Sequence, residues 1–149
     1  MRTHAAAAWI GAPVDRVWAV LADLSNPAIG TGITARIEID YTHGAPIRTL
    51  HLLPELGGGA VRETIERLDP AARVLGYRVI DPGPVPMSHY VGAFELADSG
   101  SGTRLGYVAE FSAPADQIDA LAVIAAANFR TFTANLARVL GVSHRFDDP

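Results

Sequence analysis

The sequence predicts an α+β fold in which a seven-stranded antiparallel sheet curves around one long C-terminal helix, with one or two short helices after the first strand. Three observations carry that expectation. Residues 116–140 contain neither Gly nor Pro and repeat apolar side chains at helical spacing. Residues 35–112 alternate apolar and polar side chains with a period of two, the pattern of strands wet on one face. Clusters of Gly, Pro and Asp interrupt that region often enough to imply short hairpin connections between antiparallel neighbours.

The first strand is expected at residues 3–10, where Trp9 and Ile10 precede Gly11, although its run of Ala gives weak strand propensity. Pro13 then opens a short helix. Its fixed φ suits the first helical turn, and Val14, Val17, Trp18 and Leu21 fall on one face. Residues 23–34 carry Asn26-Pro27, Gly30 and Gly32, so the segment reads as an irregular flap. Beyond it Arg36, Glu38 and Asp40 alternate with Ile37, Ile39 and Tyr41, which turns the second group toward the helix. Further strands are expected at 46–52, 60–68, 74–80, 87–96 and 103–112. They are separated by turns at His43-Gly44, Gly57-Gly58-Gly59, Asp69-Pro70, Asp81-Pro82-Gly83-Pro84 and Asp98-Ser99-Gly100-Ser101-Gly102. In the long helix, Ile118, Leu121, Ala122, Ala125, Phe129, Phe132, Leu136 and Leu140 form one apolar stripe. Phe129, Phe132 and Leu136 are expected to be among its most buried residues. Asp116 and Asp119 at the start, Arg138 at the end and Gly141 just beyond suit the helix dipole and a left-handed stop.

With 149 residues, 49% hydrophobic and 19% charged, the chain is expected to form one ordered domain over residues 1–149. A formal net charge of -4 without any basic run argues against nucleic-acid partners. The absence of Cys removes disulfides, thiolate nucleophiles and thiolate metal sites. Arg2 and Ala5 to Ala8 resemble a secretory signal only faintly, because the apolar run is short and leads into Pro13; no membrane-spanning segment is expected, and the expected location is cytoplasmic.

The residues from Ala12 to Leu21, then Ile47-Arg48, Val61-Arg62-Glu63-Thr64-Ile65, Leu68-Asp69, Tyr77-Arg78-Val79 and Phe111, extend the likeness from element order to local sequence. Together they resemble the helix-grip proteins of the START-like superfamily, in particular the bacterial polyketide cyclase and dehydrase branch of the SRPBCC group. That resemblance spans nearly the whole chain. It implies a cavity between sheet and helix, and its members include cyclases, carriers of hydrophobic ligands, hormone receptors and chaperone activators.

Strand registers outline such a cavity. A symmetric hairpin through residues 53–59 sets Arg48 opposite Glu63 with both on the helix-facing side. The pair is either a rim ion pair that holds register or a ligand anchor, since a guanidinium held by a carboxylate retains donors for a carbonyl or enolate oxygen. In the next hairpins Tyr77 is expected opposite Tyr90, and Tyr107 opposite Gly92, where the missing side chain leaves room for a ring. Tyr41 joins them on inward parity. Each buried hydroxyl needs a partner, so four inward tyrosines are either tips reaching the rim or a polar lining for an oxygenated ligand. His51 and His89 fall in strands with parities opposite to Arg48 and Tyr90, and each enters the cavity only through a register shift. No zinc-ligand spacing, Gly-x-Ser-x-Gly, phosphate loop or dinucleotide fingerprint occurs.

The resulting expectation is a cyclase or dehydratase that needs no cofactor or metal and acts on an oxygenated, polyketide-like intermediate. Arg48 polarises a carbonyl, Glu63 holds Arg48 or acts as base, and Tyr90 completes the catalytic candidates. Tyr41, Tyr77, Tyr107, Phe94, Asn128 and Phe132 are the ligand-binding candidates. The alternatives are a non-catalytic carrier or sensor of a hydrophobic small molecule and, third, an interaction module using the outer sheet face. The expected partner is a hydrophobic or aromatic small molecule, with a second copy of the chain as a further candidate and neither nucleic acid nor membrane.

Overall fold

In the computed structural model, which describes residues 1–42 and 44–147, alternating side chains and tight turns build one antiparallel sheet. The elements are β1 (Arg2–Ile10), α1 (Val14–Leu21), β2 (Thr34–Asp40), β3 (Ile47–Leu52), β4 (Ala60–Asp69), β5 (Val74–Asp81), β6 (His89–Asp98), β7 (Thr103–Ser112), α2 (Ile118–Leu140) and β8 (His144–Phe146). Short 3-10 turns at Pro27–Gly30 and Pro54–Leu56 interrupt the loops. The sheet order is β2-β3-β4-β5-β6-β7-β1-β8. The expected turn residue His43 lies outside the described residues.

Among the described residues the sheet has eight strands, not seven. Gly141 adopts φ 69°, its N–H bonds back to Ala137 and Arg138, and the chain reverses after α2. His144 and Phe146 then pair with Ile10 and Ala8. A strand of three residues shows too little alternation to be read from sequence. Register shifts between Arg62 and Glu63 and between Ile65 and Arg67 insert one extra residue in β5, at Ile80, and one in β4, at Glu66, the kind of irregularity that bends a sheet.

α2 lies against the face carrying Ala8, Ile10, Phe94, Tyr107 and Phe111. Leu121, Ala125, Phe129 and Leu136 are buried there as the stripe predicts, each large side chain contributing roughly 1.5 to 3 kcal/mol. Contrary to the expectation of no membrane-spanning segment, α2 is long and apolar enough to cross a membrane by length and composition alone, a property that core helices share. Two further expectations need correction. Phe132 is only partly buried, because it stands where helix and sheet separate around a cavity. Asp116 precedes the first turn of α2, which begins at Ile118 after Gln117.

Residues 23–34 are tied to the helix. Asn135, buried in α2, donates from its amide to the carbonyls of Ile29 (2.8 Å) and Thr31 (2.9 Å), and its own oxygen accepts from Arg138 (2.6 Å). Asn26 caps the Pro27–Gly30 turn by accepting the Ala28 N–H.

Candidate functional site

Between α2 and the sheet, from β2 to β7, lies a cavity of about 210 Å³. It is slightly below the roughly 300 to 1,000 Å³ usual for ligand pockets. Most of the lining is aliphatic and aromatic. The polar groups come chiefly from Arg48, Glu63 and three tyrosines.

Arg48 and Glu63 are directly opposed on β3 and β4, as the symmetric hairpin predicts. Arg48 is 7% exposed and Glu63 3%. Nε and Nη2 of Arg48 each lie 2.6 Å from the same carboxylate oxygen, Oε1 of Glu63. Oε2 of Glu63 and Nη1 of Arg48 take no partner among the described residues, and both side chains line the cavity. The pair is therefore neither at a rim nor saturated: buried among the lining residues, it keeps unused hydrogen-bonding atoms.

Tyr77 on β5, Tyr90 on β6 and Tyr107 on β7 share the inward face of adjacent strands. Their hydroxyls meet, with Tyr107 in the middle, 2.8 Å from Tyr77 and 2.6 Å from Tyr90. Burial, first of all, pushes the phenol pKa of each above its usual value, and the nearby Glu63 carboxylate adds to the rise. The hydroxyls thus stay protonated through the neutral range. The expected neighbours are corrected: Tyr77 faces Gly92, not Tyr90, and Tyr107 faces Phe94, not Gly92. Gly92 does make room for a ring, that of Tyr77.

Phe94 and Phe132 form another part of the wall, with ring centroids 4.7 Å apart. Asn128 also lines the cavity. It is exposed, as is Ile124, so this stretch of α2 marks where the cavity meets solvent. Tyr41 does not join the site. The β2–β3 ladder ends at Asp40, whose carboxylate accepts the N–H and hydroxyl of Thr42, and Tyr41 beyond it is 63% exposed. His51 turns outward, its Nε2 3.1 Å from Glu38 Oε2, and His89 lies outside the lining. Sequence reasoning missed the cavity residues Ile29, Ile33 and Val85, which sit in segments without periodicity, and Met87, which was expected to open a strand at 87–96 and instead stands before β6. The only signal at the first three was apolar residues inside otherwise turn-like stretches.

Residues 2–141 match the family described as polyketide cyclase / dehydrase and lipid transport. No curated protein matches the sequence significantly. Among solved structures, the Zhui aromatase/cyclase from a Streptomyces is 23% identical with a TM-score of 0.78, the alignment covering 91% of each chain. Norcoclaurine synthase from Thalictrum flavum is 14% identical with a TM-score of 0.76, covering 93% of this chain and 86% of that one. The same synthase has also been solved with dopamine and hydroxybenzaldehyde, at 13% identity and a TM-score of 0.74, with coverage of 93% and 86%. At these identities the structures establish a common helix-grip fold, whereas the match over residues 2–141 establishes kinship: the chain belongs to the polyketide cyclase/dehydrase and lipid transport family.

Proposed function

We propose that this protein is a cyclase or dehydratase that folds an oxygenated, polyketide-like intermediate inside the cavity and assists its enolisation and loss of water without a cofactor. The observation that carries the reading is convergence. A buried Arg48–Glu63 pair with unused donor and acceptor atoms and three linked tyrosine hydroxyls line the same cavity, in otherwise largely apolar surroundings. Confinement supplies orientation, which is worth several kcal/mol of barrier. Arg48 stabilises negative charge developing on a carbonyl oxygen, in a site where low polarity strengthens the contact. Glu63, through Oε2, accepts a proton from carbon or keeps Arg48 in place, and Tyr90 donates to a second oxygen.

The test is to present a poly-β-ketone thioester to the protein and to Arg48→Met, and to follow cyclised product by mass spectrometry. Loss of about 10²-fold or more per folded molecule supports the assignment. Equal turnover removes Arg48 from the chemistry. The carrier reading rests on the same largely apolar lining and on the family's inclusion of lipid transport. It predicts that the wild-type protein retains the ligand unchanged and that no product forms above background.

A further inference from the structure

The three tyrosines carry an inference about what the cavity recognises, one that rests on reading the cavity as a ligand site. Three hydroxyls bring three protons, and the two hydrogen bonds among them, Tyr77 to Tyr107 and Tyr107 to Tyr90, use two. No group outside the trio bonds these oxygens among the described residues. The Tyr90 hydroxyl also interacts with that of Tyr77, but only the two bonds through Tyr107 have full hydrogen-bond geometry, and they leave one proton over. If Tyr107 donates to Tyr77, Tyr90 donates to Tyr107 and the spare proton is on Tyr77. If Tyr107 donates to Tyr90, the spare proton moves to the other end. Turning the O–H of Tyr107, with matching turns at the ends, interconverts these two arrangements without moving a heavy atom; in a third, both ends donate to the two lone pairs of Tyr107 and the spare proton is on Tyr107.

A spare buried donor is costly unless it finds an acceptor, and all three tyrosines line the cavity. We infer that Tyr77, Tyr107 and Tyr90 act as one specificity-determining unit that hands a single O–H donor, from whichever member the ligand meets, to a neutral acceptor oxygen such as a ketone carbonyl on the ligand. Tyr107 is the positioning residue of the three. It touches both others and lies at 4% exposure, so the direction of its O–H selects which member holds the spare proton. The other members then present only lone pairs to the cavity. A ligand carrying an acceptor oxygen is favoured over a hydrocarbon of the same shape, and the preference tolerates the oxygen at different places along the row.

A matched pair of probes tests this: 2-acetylnaphthalene and 2-isopropenylnaphthalene, which differ by a carbonyl oxygen against a methylidene carbon. Their dissociation constants are measured by calorimetry on wild type, Tyr77→Phe, Tyr90→Phe and the triple Phe variant, with thermal midpoints recorded beside them. The ratio of the two constants cancels general changes in cavity shape. The wild type is expected to prefer the ketone by about 2- to 10-fold, the range of one net neutral hydrogen bond. Either end variant keeps that preference, because two hydroxyls sharing one bond still leave one proton. In the triple variant the preference falls to one or below. Collapse in a single end variant overturns the shared unit in favour of one fixed donor. A preference surviving in the triple variant overturns the tyrosines as the donor. If both probes bind alike in every protein, this inference fails while the cavity remains a ligand site; if neither binds the folded wild type, both readings fail.

Discussion

Tyr77 and Gly92 face each other across β5 and β6, and a Cβ on residue 92 would come within 2.7 Å of both Cζ and the hydroxyl of Tyr77. The tyrosine ring occupies space that any larger residue would claim. Gly92→Ala is expected to fold, because the obstructing atoms are the far end of a side chain that can swing, at a loss of about 1 to 3 kcal/mol in urea unfolding. Its crystal structure should show the Tyr77 hydroxyl out of hydrogen-bonding reach of Tyr107. A retained Tyr77–Tyr107 bond would show that the backbone yields instead.

For the ion pair, removal of one partner is worse than removal of both. Arg48→Met leaves a carboxylate without its cation and should cost about 3 to 5 kcal/mol of stability. Arg48→Met combined with Glu63→Leu should recover most of that loss in the same denaturation experiment. A double variant no more stable than the single one would mean that the pair has no cost of burial to relieve.

Asn135 sets the position of the loop above the cavity. Asn135→Ala removes two donors from the Ile29 and Thr31 carbonyls, with an expected destabilisation of about 1 to 3 kcal/mol. Amide exchange in residues 27–34 should accelerate more than in β6 or β7. Uniform acceleration across the protein would point to global loss of stability rather than release of the loop.

The tyrosine row makes stability depend on pH at the alkaline end. Burial raises the folded-state pKa of Tyr77, Tyr90 and Tyr107 above the ordinary 10.0, so the unfolded chain loses these protons first. Their contribution is fully present below about pH 10 and declines as pH rises from there toward the folded values. Wild type should therefore lose stability above pH 10 more steeply than the triple Phe variant, as followed by urea midpoints. Parallel curves would mean that the hydroxyls ionise as readily folded as unfolded.

Face and neighbour were legible to different degrees. Alternation with a period of two placed Arg48, Glu63, Tyr77, Tyr90 and Tyr107 on the helix-facing side, and that assignment survived although two of the expected hairpin registers were displaced. The pairs expected as Tyr77 with Tyr90 and Tyr107 with Gly92 became Tyr77 with Gly92 and Tyr107 with Phe94. Each is a shift of two residues, and a slip of two preserves the face while changing every partner. Arg48 and Glu63 met as expected because the hairpin between them is symmetric.

From the amino-acid order alone came the long helix with its stripe, the run of strands, and the inward parity of the polar residues, since all three follow from local periodicity. Tertiary structure alone decided the rest. β8 exists because the edge of β1 was available to pair after the chain reversed at Gly141. Tyr41 left the inward set because the ladder stopped one residue before it, and Phe132 became a wall because the helix stands off the sheet there. The meeting of three hydroxyls and the grip of Asn135 on residues more than a hundred positions earlier are contacts between distant segments. Such contacts depend on how whole elements pack, and periodicity within one element carries no information about them.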